Sequence, residues 1–207
     1  QIQADGNFNY IIMEDLMKGF KNPNFVDIKL GTRTSDVKTK KRSIDRLAFL
    51  VASTTSADFG FRITDILNSK NKKDKKAQRR EIASNIFETS NFFKSFFSTH
   101  QLKSVYDQLK NIRNVIILTL HQFPGFRIYA SSVFITYDSE APEKSEVRVK
   151  LIDFAHTHFD VDKDDGDRNA LQYDDGVLRG LDSLILLTGL ILSERKVPLG
   201  HENLVDP

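Results

Sequence analysis

Seven apolar residues, Leu102, Val105, Leu109, Ile112, Ile116, Leu120 and Phe123, recur in steps of three and four, and this stripe limits the fold more than any other stretch. Such steps bring all seven side chains onto one face of a helix, and Pro124-Gly125 ends it. A face of that length has to be covered, so the stripe is read as core. A second stripe, Leu178, Leu181, Ile185, Thr188 and Leu192, marks a C-terminal helix of the same kind. Between them, Arg127 to Tyr137 and Val147 to Phe154 alternate apolar with polar residues around the polar, proline-containing Asp138 to Glu146, which predicts an antiparallel hairpin.

Upstream, Tyr10 to Met13 is β-prone and ends at Glu14 and Asp15, and Asn22-Pro23-Asn24 predicts a turn. Phe25, Val26, Ile28 and Leu30 then form a buried strand that Gly31 closes. A short helix is predicted from Ile44 to Val51, a strand from Phe59 to Ile66, a loop in the basic run that follows, and an aromatic-rich helix from Ile82 to Phe97. The expected class is therefore α+β, without internal repeats. With 207 residues, 40% of them hydrophobic, the chain can form one large domain or two small lobes. The absence of cysteine excludes disulfides, cysteine-held metals and thiol catalysis, and fits a reducing compartment such as cytoplasm or nucleus. No run of about 18 apolar residues predicts a membrane span, and the first ten residues lack the pattern of a signal peptide.

A formal net charge of +2 conceals strong segregation. Seven of the eleven residues from Lys70 to Arg80 are Lys or Arg, and a second basic stretch runs from Arg33 to Arg46. Asp153 to Asp175 holds eight aspartates. One region is suited to polyanions and the other to a divalent cation, although solvated surface loops give the same pattern. Nucleic acid is not the expected polyanion, because no helix-turn-helix, RNA-recognition or zinc pattern occurs. If the hairpin turns near Pro142 and Glu143, Ser132 faces Asp153, and a hydroxyl beside a strand-end carboxylate suits magnesium and phosphate. The residues alone leave a capping Ser and a loop-starting Asp equally open. His156-Thr157-His158 lacks a third nitrogen ligand nearby, so zinc is not expected. Neither a phosphate-binding P-loop nor a dinucleotide fingerprint is present.

Pro23-Asn24-Phe25-Val26-Asp27-Ile28-Lys29-Leu30-Gly31 carries the pattern Pro-x-x-x-Asp-x-Lys-x-Gly, Ser131-Ser132-Val133-Phe134 follows, and then Ile152-Asp153-Phe154-Ala155-His156-Thr157. With Met13-Glu14-Asp15-Leu16, Gly60-Phe61-Arg62, Asp175-Gly176 and Gly180-Leu181, these segments resemble, in order, those of the inositol polyphosphate kinase family. The resemblance implies a two-lobed, protein-kinase-like fold in which most of this chain is the larger C-terminal lobe. Residues 1–16 would be a remnant of the small lobe and the hinge. Residues 17–207 would be the larger lobe, with a basic, mainly helical substrate-binding insert at about 35–100. Only nine residues precede Tyr10 and no lysine precedes Lys18, so the small lobe and its ATP-contacting lysine are expected upstream of Gln1.

The implied activity is ATP- and magnesium-dependent phosphorylation of a soluble inositol polyphosphate, in the trisphosphate to hexakisphosphate range, by either a multikinase or a hexakisphosphate kinase. A noncatalytic domain that binds inositol phosphates or phosphoinositide headgroups is the alternative. By resemblance, Met13, Glu14, Asp15 and Leu16 contact the nucleotide, Asp27 orients or deprotonates the attacking hydroxyl, and Lys29 binds substrate or the phosphoryl group in transit. Ser132 holds the triphosphate, Asp153 ligates magnesium and His156 lies near substrate. Lys38, Lys40, Lys41, Arg42, Lys75, Lys76, Arg79 and Arg80 are the candidate phosphate contacts, since each charge-assisted hydrogen bond contributes on the order of 1.5–3 kcal/mol. Asp27 and Lys29, two apart in a strand, point to one side.

Overall fold

Strand periodicity and two long amphipathic helices divide the molecule into a sheet with one apolar face and a helical layer that covers it. The computed structural model describes residues 2–5, 8–35, 39–68, 75–140, 145–159 and 175–199. In chain order its strands are β1 (Ile2–Asp5), β2 (Phe8–Ile11), β3 (Pro23–Leu30), β4 (Phe61–Leu67), β5 (Arg127–Ile128), β6 (Ser132–Asp138), β7 (Val147–Ile152) and β8 (Thr157–His158). The helices are α1 (Lys41–Ala52), α2 (Ser56–Phe59), α3 (Lys75–Ser84), α4 (Ile86–Phe96), α5 (Thr99–Gln122) and α6 (Asp175–Glu194). The main sheet is antiparallel with order β4-β3-β6-β7, flanked by the β1-β2 and β5-β8 ribbons.

β3 alternates without a break. Asn24, Val26, Ile28 and Leu30 are buried, whereas Pro23, Phe25, Asp27 and Lys29 are only half-buried. Val26, Ile28 and Leu30 are fully covered, with Ile135 and Val133 beside them on β6 and Val149 on β7. Each buried aliphatic side chain contributes about 1.5–3 kcal/mol. The covering layer is α4, α5 and α6, whose Phe93, Leu102, Val105, Leu109, Leu181 and Leu184 lie in the same core. Tyr137 enters it with its hydroxyl paired, donating to the Phe96 carbonyl at 2.6 Å and accepting from Asn24 at 3.0 Å. By length and composition α6 could cross a bilayer, yet 67% of its apolar window is buried inside the protein, the state of a core helix.

Several sequence expectations shift in the folded chain. The proposed Asn22-Pro23-Asn24 turn already belongs in part to β3, because Pro23 begins the strand and pairs with Asp138. The helix expected from Ile82 to Phe97 is two helices that break at Asn85, whose side chain accepts from the Glu88 amide and caps α4. Part of the basic run expected as a loop is instead the start of α3. Phe123 lies just beyond α5, 43% exposed, and packs edge-on against Phe159. The basic segment at about 35–100 contains four helices and also β4, so it is partly built into the sheet.

The weakly matching Gly60-Phe61-Arg62 and Gly180-Leu181 segments touch each other. Gly60 is left-handed (φ +68°), its carbonyl accepts from the Gly31 amide at 2.7 Å, and it abuts Gly180 in the first turns of α6. A Cβ on Gly180 would stand 2.3 Å from the Gly60 oxygen, a distance that only backbone movement could relieve. Gly180→Ala should therefore cost about 1–3 kcal/mol or more in chemical denaturation. Gly189→Ala, whose Cβ would come no nearer than 3.3 Å to the Tyr106 ring, should cost clearly less.

Candidate active site

The open face of the sheet carries the polar half of the β3 alternation. Residues directly opposed across antiparallel strands share a face, with Cβ atoms about 4.5–5.5 Å apart. Asp27 is opposed by Phe134 and Lys29 by Ser132, and Ser132 is opposed in turn by Ile152. Asp27, Lys29, Phe134, Ser132 and Ile152 thus form one continuous patch. Phe134 and Ile152 are also the floor of an open pocket of about 460 Å³, whose rim is Met13, Glu14, Asp15 and Leu16. The expected hinge residues line this pocket, and the Asp-x-Lys pair lies next to it through Phe134, the cross-strand neighbour of Asp27.

Register corrects one expectation. Ser132 opposes Ile152, not Asp153, so the hairpin is shifted by one residue. Simple alternation would then send Asp153 toward the core face with Leu151. Asp153 instead adopts a left-handed backbone (φ 66°, ψ 59°) just past β7, and its carboxylate returns to the open face to pair with Lys29 at 3.3 Å. Lys29 also donates to the carbonyl of Ala130 at 2.7 Å, and Ala130 is itself left-handed (φ 54°). Such backbones cost about 1–2 kcal/mol each outside glycine. The ammonium of Lys29 therefore joins two strained residues at the mouth of the site.

Ser132 is fully buried and its hydroxyl has no hydrogen-bond partner in the protein, as is also true of Ser131. An unmet buried hydroxyl costs about 1–3 kcal/mol, and a ligand oxygen arriving beside Lys29 would relieve that cost. The exposed Asp153 carboxylate and the Ser132 hydroxyl are oxygen donors of the type that magnesium or manganese accepts, so this corner fits a divalent cation with a phosphate chain. Among the described residues no group of three or more His, Asp or Glu side chains is placed to hold a metal ion.

On the other side of Asp27, Thr64 on β4 donates its hydroxyl to Oδ1 at 2.9 Å. Arg79, reaching from α3, pairs with Asp65 at 2.7 Å and donates to the Thr64 carbonyl at 3.2 Å. Of the basic candidates, Arg79 is thus placed beside the Asp27 strand pair, already engaged by protein groups. Lys40, Lys41, Arg42 and Arg80 are exposed. Lys38 lies outside the described residues, and Lys75 and Lys76 open α3 with only their backbone described. Most of the aspartate-rich stretch, residues 160–174, also lies outside them. His156 is exposed in the short turn after Asp153, and its carbonyl accepts from the Tyr129 amide.

The sequence reading missed the residues that anchor the segment around Leu16 and Lys18. Arg148 donates to the carbonyls of Leu16 (2.9 Å) and Lys18 (3.0 Å), lies 4.3 Å from the centre of the Phe20 ring, and is paired with Glu146. The Glu146 hydrogen bond raises the Arg148 pKa, and Glu14 and Asp15 add to it. The signal available was the Val-Arg-Val-Lys alternation at Val147 to Lys150, which sets two cations on the open face. Asp138 secures the same segment from the end of β6, accepting from the amides of Lys21, Asn22 and Glu140.

The inositol polyphosphate kinase family model matches residues 10–188, and the chain belongs to that family. It is 27% identical to an uncharacterized inositol polyphosphate kinase of Schizosaccharomyces pombe over 90% of this chain. Mouse inositol hexakisphosphate kinase 3 is 25% identical over 77% of it, and the multikinase of S. pombe 29% over 72%. The chain spans 22%, 45% and 59% of those relatives' lengths, respectively. Its fold matches that of an inositol phosphate multikinase from S. cerevisiae solved with ADP and Mn2+. The TM-score is 0.68 at 23% identity, covering 89% of this chain and 84% of that one.

Asp138 connects the hinge to pH. Its carboxyl is held below the usual range chiefly by the Glu140 amide, then by those of Lys21 and Asn22. A lowered folded-state value means that this stabilisation is complete above the unfolded value and is lost as pH falls through the folded one. Asp138→Asn should lower the melting temperature at neutral pH, and the two proteins should converge well below about pH 4 in melts across a pH series.

Proposed function

We propose that the protein is a kinase that transfers the γ-phosphoryl group of ATP to a soluble inositol polyphosphate. The observation that carries this reading is the adjacency of the pocket to the polar patch of the sheet. The cross-strand neighbours of Asp27 and of Ser132, namely Phe134 and Ile152, are the floor of the pocket rimmed by the hinge. A nucleotide base between hinge and floor would direct its phosphates along the sheet toward Ser132, Lys29 and Asp153. Exposed Ile11 and Met13 line that pocket and supply apolar surface suited to the base.

Phosphoryl transfer depends mainly on alignment and on neutralising charge over the phosphoryl oxygens. Asp27 stands where it can accept the proton of the attacking inositol hydroxyl as that oxygen bonds to the γ-phosphorus. The bond from phosphorus to the bridging oxygen breaks, and ADP leaves with that electron pair. Lys29, 20% exposed and paired with Asp153, would hold its cation at the junction of the two substrates. A divalent ion, magnesium by preference, would be held by Asp153 and supported by Ser132, and would supply charge neutralisation for the triphosphate. The exposed cations at the start of α1, with Arg80, are the proposed contacts for existing phosphates of the substrate. The names of the relatives include both the multikinase and the hexakisphosphate kinase branches.

The test is incubation of the full-length protein, small lobe included, with radiolabelled ATP, magnesium and either inositol trisphosphate or hexakisphosphate, followed by separation of products. Label should appear in an inositol product, and Asp27→Asn should lower turnover by about a hundredfold or more. Near-normal turnover in Asp27→Asn would remove Asp27 from the mechanism. Binding of inositol phosphate without transfer would replace the kinase reading with that of a binding domain.

A further inference from the structure

The β3-β4 ladder pairs Asp27 with Asp65 and resumes at Ile28 with Ile63, so Thr64 is an extra residue on β4 with no cross-strand partner. A bulge of this type re-aims a side chain that regular pleating would direct elsewhere. Here it turns the Thr64 hydroxyl onto Asp27, 2.9 Å from Oδ1 and 3.2 Å from the backbone carbonyl. One hydroxyl has one proton, and the shorter, charge-assisted contact to the carboxylate is the stronger. The bulge is held in turn. Arg79 donates to the Thr64 carbonyl and pairs with Asp65, and Asp65 also accepts from the Ile66 amide at 2.9 Å. Asp65 and Asp27 oppose each other, an arrangement of like charges that destabilises a strand pair unless one is neutralised. Arg79 does so.

We infer that Thr64 is a positioning residue for the proposed phosphoryl transfer: its hydroxyl fixes Asp27 through Oδ1 and so leaves the other carboxylate oxygen free to take the proton of the attacking hydroxyl. The inference rests on the reading of Asp27 given above. Thr64 touches neither substrate. It acts by removing rotation of the Asp27 carboxylate, and Arg79 contributes by keeping the bulge in place. This role also explains why a basic residue of the substrate-binding segment is spent on a protein carboxylate.

The test compares Thr64→Val, which keeps the shape but removes the donor, with Thr64→Ser, which keeps the donor, and combines Thr64→Val with Asp27→Asn. Thr64→Val should lower kcat about tenfold to a hundredfold with little change in the KM for ATP. Thr64→Ser should recover most of the rate, and the double variant should be no slower than Asp27→Asn alone, because the two residues act as one unit. Should Thr64→Val fail to fold, Thr64→Ala carries the same expectation. Wild-type kcat in the Val or Ala variant, or losses that multiply in the double variant, would overturn the role. A crystal structure of the Val variant decides the matter without activity: a turned Asp27 carboxylate supports the inference, and one in its original orientation overturns it. Failure of the full-length wild-type protein to transfer phosphate would instead count against the kinase reading.

Discussion

The central strand β3 obeys two demands at once, and most of the architecture follows from that double duty. On one face Val26, Ile28 and Leu30 are sealed beneath α4, α5 and α6. On the other, the half-buried Asp27 and Lys29 share the open face with Phe134, which lines the neighbouring pocket. A strand has only two faces, so a period of two is enough to keep a carboxylate and an ammonium together while the alternate side chains anchor them in the core. The central position of β3, with β4 on one side and β6 on the other, gives both charged residues neighbours in both directions. Thr64 and Asp65 come from one side, and Ser132 and Phe134 from the other.

Lys29 carries a second constraint. Its ammonium contacts the carbonyl of Ala130 and the carboxylate of Asp153, and both of these residues occupy left-handed backbone conformations. Strain of this kind persists where the surroundings over-determine it, and it gathers at functional sites. The β5-β8 ribbon, with the Tyr129 amide bonded to the His156 carbonyl, holds the two turns in place from outside the sheet. The Lys29 corner is therefore held by protein groups on both sides, beside the unmet hydroxyl of the cross-strand neighbour Ser132.

Much of this arrangement was legible in the residues. The stripes of α5 and α6, the alternation of β3 and the β6-β7 hairpin are local periodicities, and they mark core and open faces without reference to anything distant. Tyr10 to Met13, read as a strand, is one only as far as Ile11, and the aromatic helix is divided by the Asn85 cap. Both errors sit at element ends, where capping competes with hydrophobic pattern. The Ser132 to Asp153 pairing was off by one for a different reason. Counting from a presumed turn centre cannot detect a one-residue shift, and Asp153 regained its expected face only through a backbone conformation that no composition announces.

By itself the amino-acid sequence determined which residues are paired by spacing: Asp27 with Lys29 on one side of a strand, and each helical stripe on one side of a helix. These follow from fixed repeats of the backbone and need no partner. Only the tertiary structure decided which distant groups meet. It seated Thr64 on Asp27 by a bulge, set Arg148 against the hinge carbonyls, pressed Gly60 against Gly180 and brought the hinge to the floor made by Phe134 and Ile152. Contacts of that kind depend on register, bulges and packing between elements far apart in the chain, and those are properties of the assembled sheet and helices rather than of any one segment.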